Sequence, residues 1–166
     1  MTGDDPALVE IRAYLPRFRS KAFGVGDGLL ARFREARLRQ QTTYPHAAEV
    51  LEELRRHARL ALVTNGTSDF QRRKLALSGL EANFDFVVAS CDIGSGKPEP
   101  AIFERALDAL GVTASQAVMV GNDKEKDIDG AANAGIRAIW IQHGGSNDDA
   151  RADLGDLRQL PELIWN

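Results

Sequence analysis

The stretch Ala117-Val-Met-Val-Gly-Asn-Asp-Lys-Glu-Lys-Asp-Ile-Asp-Gly-Ala131 decides how this chain folds. Val118, Met119 and Val120 make an uncharged apolar run, the composition of a parallel strand buried on both faces. The run stops at Gly121, and carboxylates crowd the turn that follows. Ile128, Ala131 and Ala132 then recur at helical spacing, which predicts a helix with those three residues facing inward. Asp123 and Asp127 therefore fall at a strand's carboxyl end, the edge where open α/β sheets bind ligands. Such a loop suits two roles. Its acids can hold a metal, or Asp123 can cap the helix by lending an oxygen to the first free amides.

Outward from this loop, apolar strands and amphipathic helices alternate from Arg59 onward, the order expected of βαβ units around a parallel sheet. Four strands are expected: Leu60 to Thr64, Phe84 to Ala89, Ala117 to Val120 and Ile136 to Ile141. Between them, His46 to His57 carries Ala47, Val50, Leu51 and Leu54 on one face, and Glu99 to Leu110 carries Ile102, Phe103, Ala106, Leu107 and Leu110. Ser68 with Gln71 reads as a capping box, and Gly79, Gly111 and Gly135 read as helix stops. Residues 1 to 44 differ. Ile11 to Phe18 and Leu29 to Leu38 read as Arg-rich helices around a Gly-rich turn, and Tyr44-Pro45 marks the passage into the α/β part. The stretch from Ser146 to Asp153 is polar, and Leu154 to Ile164 is apolar enough to dock.

The chain of 166 residues with 43% hydrophobic content supports one domain with a sizeable core. A net charge of -3 and scattered arginines give no basic footprint, so nucleic acid is not an expected partner. No run of about 18 apolar residues exists to span a membrane. Cys91 is the single cysteine, which excludes an internal disulfide. With an acidic N-terminus in place of a signal peptide, it predicts a cytoplasmic protein. His46, His57 and His143 lack ligand spacing for zinc. Tyr44, Trp140 and Trp165 read as packing residues.

Two further strand ends bear polar groups. Thr64-Asn65-Gly66-Thr67 follows the first strand directly; a hydroxyl and converging amides there can cradle a phosphate or simply close a strand-to-helix turn. Gly94-Ser-Gly-Lys97-Pro98-Glu-Pro100 holds one lysine just before a helix opened by proline. It can supply a fixed charge for a phosphate or a developing oxyanion. A hydroxyl, a lysine and paired carboxylates thus stand at three successive strand ends.

With those motifs in order and at that spacing, Tyr44 to Gly145 resembles the haloacid dehalogenase superfamily, mostly phosphohydrolases with an aspartate nucleophile and Mg2+. The resemblance implies a Rossmann-like, three-layer α/β/α parallel sheet, with residues 1–44 as a partial N-terminal helical cap and residues 45–166 as the core. It implies that Thr64, with Asn65 and Gly66, binds the phosphoryl group and that Lys97 neutralises it. Metal ligation falls to Asp127, then Asp123, with Asn122 standing where many relatives carry Asp.

The resemblance has one large gap. The family's strand ending in Asp-x-Asp, which supplies the nucleophile, has no counterpart: Asp4-Asp5 follows no strand, and aligning Asp27 puts Val25 in the nucleophile's place. Valine cannot form a phosphoenzyme. A chain beginning inside the cap would lack the central strand and leave two strand edges open. A truncated or clipped start, a degenerate relative, or a partner strand in a homodimer completing the sheet would each account for this. Leu8 to Tyr14 is apolar enough to fill the gap, although its pattern is helical. The expected function is a Mg2+-dependent phosphatase of a small phosphorylated metabolite, weak or inactive as this chain. The alternatives are a 2-haloacid dehalogenase-type hydrolase and a non-catalytic binding or oligomerisation module.

Overall fold

The computed structural model describes residues 8–9, 32, 34–36, 38–39, 42–141 and 154–165. Every strand pairing within it is parallel. Strand β1 (Leu8–Val9) lies beside β4 (Ala117–Gly121), which lies beside β5 (Arg137–Trp140); β2 (Ala61–Thr64) pairs with β3 (Phe86–Ala89) in a separate sheet. All four strands expected from the sequence are present, each within about two residues of its expected ends.

Helices alternate with these strands. They are α1 (Ala47–Leu54), α2 (Ser68–Ser78), the single turn α3 (Ser90–Ile93), α4 (Pro100–Leu110), the short α5 (Gly130–Asn133) and α6 (Leu160–Trp165). Successive side chains on a strand point to opposite faces, so each strand feeds two cores. Val118 and Val120 of β4 join Val50, Leu51 and Leu54 of α1 and Leu160 and Ile164 of α6 on one face. Ala117 and Met119 join Ala61, Val63 and Val88 with Ile102, Phe103 and Ala106 of α4 on the other. This is a three-layer α/β/α arrangement, with α4 packed on β2 and β3 and sharing its core with Ala117 and Met119 of β4.

The sequence reading needs correction at three places. Leu8 and Val9 are strand, hydrogen-bonded in register with Ala117 and Val118, where the pattern had looked helical. A buried edge of β4 needs backbone partners, and that demand outweighs a weak local period. Ala132 is exposed, while Asp127 and Gly130 join Ala131 inside. The cause is a wide helical turn over Lys124–Asp129, in which Ile128 N–H donates to Asp123 O at 3.3 Å and so shifts the inward face. The capping box at Ser68 does not form. Ser68 is already the first helical residue, its hydroxyl accepts from Arg72 at 3.3 Å, and Gln71 turns instead to the Asn65 carbonyl at 3.0 Å.

Gly79, Gly111 and Gly135 stand at the helix ends as expected, all with left-handed backbone. Leu154, Leu157, Leu160 and Ile164 dock into the α1 layer, and Arg32, Arg34 to Ala36, Leu38 and Arg39 are helical as read. The segments Ile11 to Phe18 and Ser146 to Asp153, the pairs Asp4-Asp5 and Val25/Asp27, and His143 lie outside the described residues.

Candidate active site

Strands β2 and β4 belong to separate sheets, yet their carboxyl ends are tied together by one lysine. Lys97 Nζ donates to the Val63 carbonyl at 2.7 Å, one residue before the end of β2, and meets Asp127 Oδ1 at 2.9 Å beyond β4. Neither the Lys97 nor the Asp127 side chain reaches solvent. The other Asp127 oxygen accepts from the amides of Asn122 at 3.1 Å and Asp123 at 2.9 Å, folding the acidic loop around itself. A carboxylate facing an ammonium on one oxygen and two amides on the other is stable in a dry setting, because its charge has a partner and one oxygen is well supplied with donors.

The lysine is held from behind as well. Asn65 Oδ1 accepts from the Lys97 amide at 2.8 Å while Asn65 Nδ2 donates to the Lys97 carbonyl, also at 2.8 Å. Thr64, buried, sits between Val63 and Asn65 on the same strand end. Gly66 N–H donates to Ser90 Oγ at 2.9 Å, which ties the turn after β2 to the turn after β3. Thr64, Asn65, Gly66, Lys97, Asn122, Asp123 and Asp127 therefore all stand at or just beyond the carboxyl ends of strands from the two sheets, and hydrogen bonds or ion pairs join all but Thr64 into linked clusters.

Asp123 takes the capping role. Its Oδ1 accepts from the Lys126 amide at 3.2 Å, and its Oδ2 pairs with Lys126 Nζ at 3.1 Å. It is buried, however, and not a solvated acid. Asn122 is half-buried, and its backbone carbonyl accepts from the Trp140 indole at 3.3 Å. As a metal site the loop is incomplete as arranged: among the described residues no three His, Cys, Asp or Glu side chains are grouped to hold an ion. Asp127 is enclosed by Lys97 and the two amides, and Asp123 is engaged by Lys126. The described residues do not by themselves fit a divalent cation.

Sequence reasoning missed Ser90, Gln71 and Trp140. Ser90 and Trp140 could have been found by the rule that picked Thr64, since each sits at the carboxyl end of its strand, after Ala89 and before Ile141. Gln71 was assigned to the wrong partner. The Val63 carbonyl is a backbone group and had no sequence signal.

A family model for haloacid dehalogenase-like hydrolases matches residues 8–135. The chain belongs to that family. Within the haloacid dehalogenase-like hydrolases it is 44% identical over 170 residues to a phosphoserine phosphatase of Thermus thermophilus, covering 93% of this chain and 68% of that protein. A haloacid dehalogenase-type phosphatase from Thermococcus onnurineus matches with a TM-score of 0.70 at 35% identity, over 83% of this chain and 63% of that one. A 2-haloacid dehalogenase from Pseudomonas syringae pv. Tomato matches with a TM-score of 0.69 at 38% identity, over 83% of this chain and 59% of that one. The chain thus spans less than two thirds of either solved protein.

Proposed function

We propose that this chain carries the phosphate-recognising half of a phosphatase site for a small phosphorylated metabolite. The observation that supports it best is the Lys97 ammonium, enclosed at 2.7 Å from Val63 O and 2.9 Å from Asp127, at the end of the strand that carries the buried residue Thr64. A fixed cation and a hydroxyl at the sheet's ligand-binding edge favour a tetrahedral dianion over a neutral substrate, because low surrounding polarity strengthens their attraction to negative charge. The Thermus phosphoserine phosphatase supports the same reading.

Hydrolysis by way of a phosphoenzyme needs a carboxylate free to attack phosphorus. Among the described residues, the acids of the loop after β4 that are buried are Asp123 and Asp127; each is paired with a lysine, and Asp123 accepts from one backbone amide and Asp127 from two. The reading is therefore of phosphate binding with weak or no turnover by this polypeptide. Mg2+ is the cofactor the family reading brings with it; of the ligands that reading names, Asp127 is paired with Lys97, Asp123 with Lys126, and Asn122 is half-buried. No step is assigned to the ion, because the donor set is incomplete as arranged. Residues 1–44 are read as part of a helical cap, supported by the helical residues among 32–39. The pairing of Leu8–Val9 with β4 argues that the segment is not helical throughout.

Calorimetric titration with inorganic phosphate and a Mg2+-supplemented p-nitrophenyl phosphate assay test this reading together. Saturable phosphate binding with little or no turnover is expected. Absence of binding would overturn it, and sustained Mg2+-dependent turnover would refute the inactive part. The Pseudomonas dehalogenase and the presence of Asn122 where an acid is usual keep a second reading alive. Metal-independent chloride release from 2-chloropropionate would favour that reading instead.

A further inference from the structure

Asn65 falls next to Thr64 in the turn where a phosphate-binding side chain is expected, yet its amide is used elsewhere. Oδ1 accepts from Lys97 N–H at 2.8 Å and Nδ2 donates to Lys97 C=O at 2.8 Å, so the side chain pairs with one residue's backbone as a neighbouring strand would. Thirty-two residues separate the two in sequence. Contact behind them is close: a methyl group added at Gly96 would lie 2.9 Å from Asn65 Oδ1 and 2.9 Å from Ser90 Cβ, so the lysine loop is seated against Asn65 without slack. The Asn65 carbonyl accepts from Gln71 Nε2 at 3.0 Å, which fixes the asparagine from the α2 side.

We propose that Asn65 is a positioning residue for Lys97: it sets the depth and direction of the ammonium through the lysine's own backbone, and it does not itself hold the phosphate. An asparagine amide offers one acceptor and a donor pair, and here it meets one N–H and one C=O of a single residue. The lysine stem then has a fixed root, and Nζ is delivered to the Val63 carbonyl and Asp127. This assignment deepens the phosphate-site reading and rests on it for its functional meaning; the mechanical part stands on the two hydrogen bonds alone.

Two measurements test it. Lysine acylation by an amine-reactive ester, mapped by mass spectrometry, reads the loop without any ligand. In the wild-type chain Lys97, 3% exposed, should be protected, as should Lys74 at 7%, while the exposed Lys124 reacts freely. N65A should raise the Lys97 rate by about tenfold or more, the scale of two lost hydrogen bonds, with Lys74 unchanged. N65D, which keeps the acceptor for Lys97 N–H and loses the donor, should fall between. Unchanged Lys97 protection in N65A would overturn the proposal, and so would equal release of Lys74 and Lys97, which would signify general loosening.

The second measurement is inorganic phosphate affinity in wild type, N65A, K97Q and the double variant, each checked for folding by circular dichroism. If Asn65 acts through Lys97, N65A weakens binding about tenfold on its own and less than about twofold on the K97Q background. Losses that multiply would show Asn65 touching phosphate directly and overturn the proposal. If wild type binds no phosphate, the phosphate-site reading fails, and the acylation result still decides the positioning claim.

Discussion

Lys97 and Asp127 meet at 2.9 Å with both side chains wholly enclosed, and this pair joins the loop after β3 to the loop after β4. The two residues lie on connections from different sheets, so the pair links β2–β3 to β4–β5 at the edge where the strand ladders do not. Removing one member takes a buried charge partner from the other, which costs more than the pair's net worth. D127N should lower unfolding free energy by about 3–5 kcal/mol in urea titration. A double change to K97M/D127L should recover part of that loss, because no charge is then stranded. A D127N variant as stable as wild type would show the pair to be solvated in solution.

Gly121 is packed against the same aspartate. A Cβ built there would lie 2.3 Å from Asp127 Cβ and 2.7 Å from Asp127 Oδ2, closer than atoms approach. G121A must therefore push Asp127 off Lys97 or move the end of β4. A loss of about 1–3 kcal/mol is expected from overpacking, with a larger effect on phosphate affinity than an equally destabilising change elsewhere in the core. Parallel urea melts and phosphate titrations of G121A and of L51A, which lies in the opposite core layer, check this.

Most of the strand and helix order was legible because it rests on period. Val118 and Val120 alternate with Ala117 and Met119 between two cores, and Ile102, Phe103 and Ala106 repeat at helical spacing, so local pattern and tertiary burial agree. Leu8–Val9 was not legible, because two residues carry no period and only the β4 edge makes them a strand. At the site, residue types were readable and their assignments less so. A sequence shows that Asp127, Asp123 and Lys126 are close, but the wide turn at Lys124–Asp129 decides which acid faces inward to Lys97 and which faces Lys126. The pairing of Asn65 with a backbone unit 32 residues away has no pattern to betray it.

Asp156 gives a pH-dependent test away from the site. It sits in the turn before α6, and hydrogen bonds from the Arg158 side chain and amide, with Oδ2 to Nη2 at 2.6 Å, lower its pKa from 3.8 to about 2. The folded value lies below the unfolded one, so the group's stabilising contribution is complete above about 3.8 and is lost as pH falls through about 2. The pair is exposed to solvent, so the contribution is small and screened by salt. Carboxyl carbon shifts followed by NMR should place the Asp156 midpoint near 2, and R158A should return it towards 3.8. An unmoved midpoint in R158A would assign the shift to the remaining backbone bond.

Trp140 bears on the acidic loop from the strand beside it. Its register partner in β4 is Gly121, and its indole N–H donates to the Asn122 carbonyl at 3.3 Å. The amide at the other end of that same peptide, Asp123 N–H, donates to Asp127 Oδ2 at 2.9 Å. The Asn122–Asp123 peptide is thus gripped at both ends, which turns its carbonyl towards Trp140 and orients both side chains that flank it. W140F keeps an aromatic ring but removes the donor together with part of the indole's volume, leaving the Asn122 carbonyl without that bond, at a cost of about 1 kcal/mol for the bond alone. The Asp123 amide should exchange with solvent several-fold faster in W140F, while the amides of α1 slow or quicken only in proportion to the global change. An exchange rate at Asp123 that follows α1 would show Asp127 holding the peptide alone, with the indole contact adding nothing to the order of the loop.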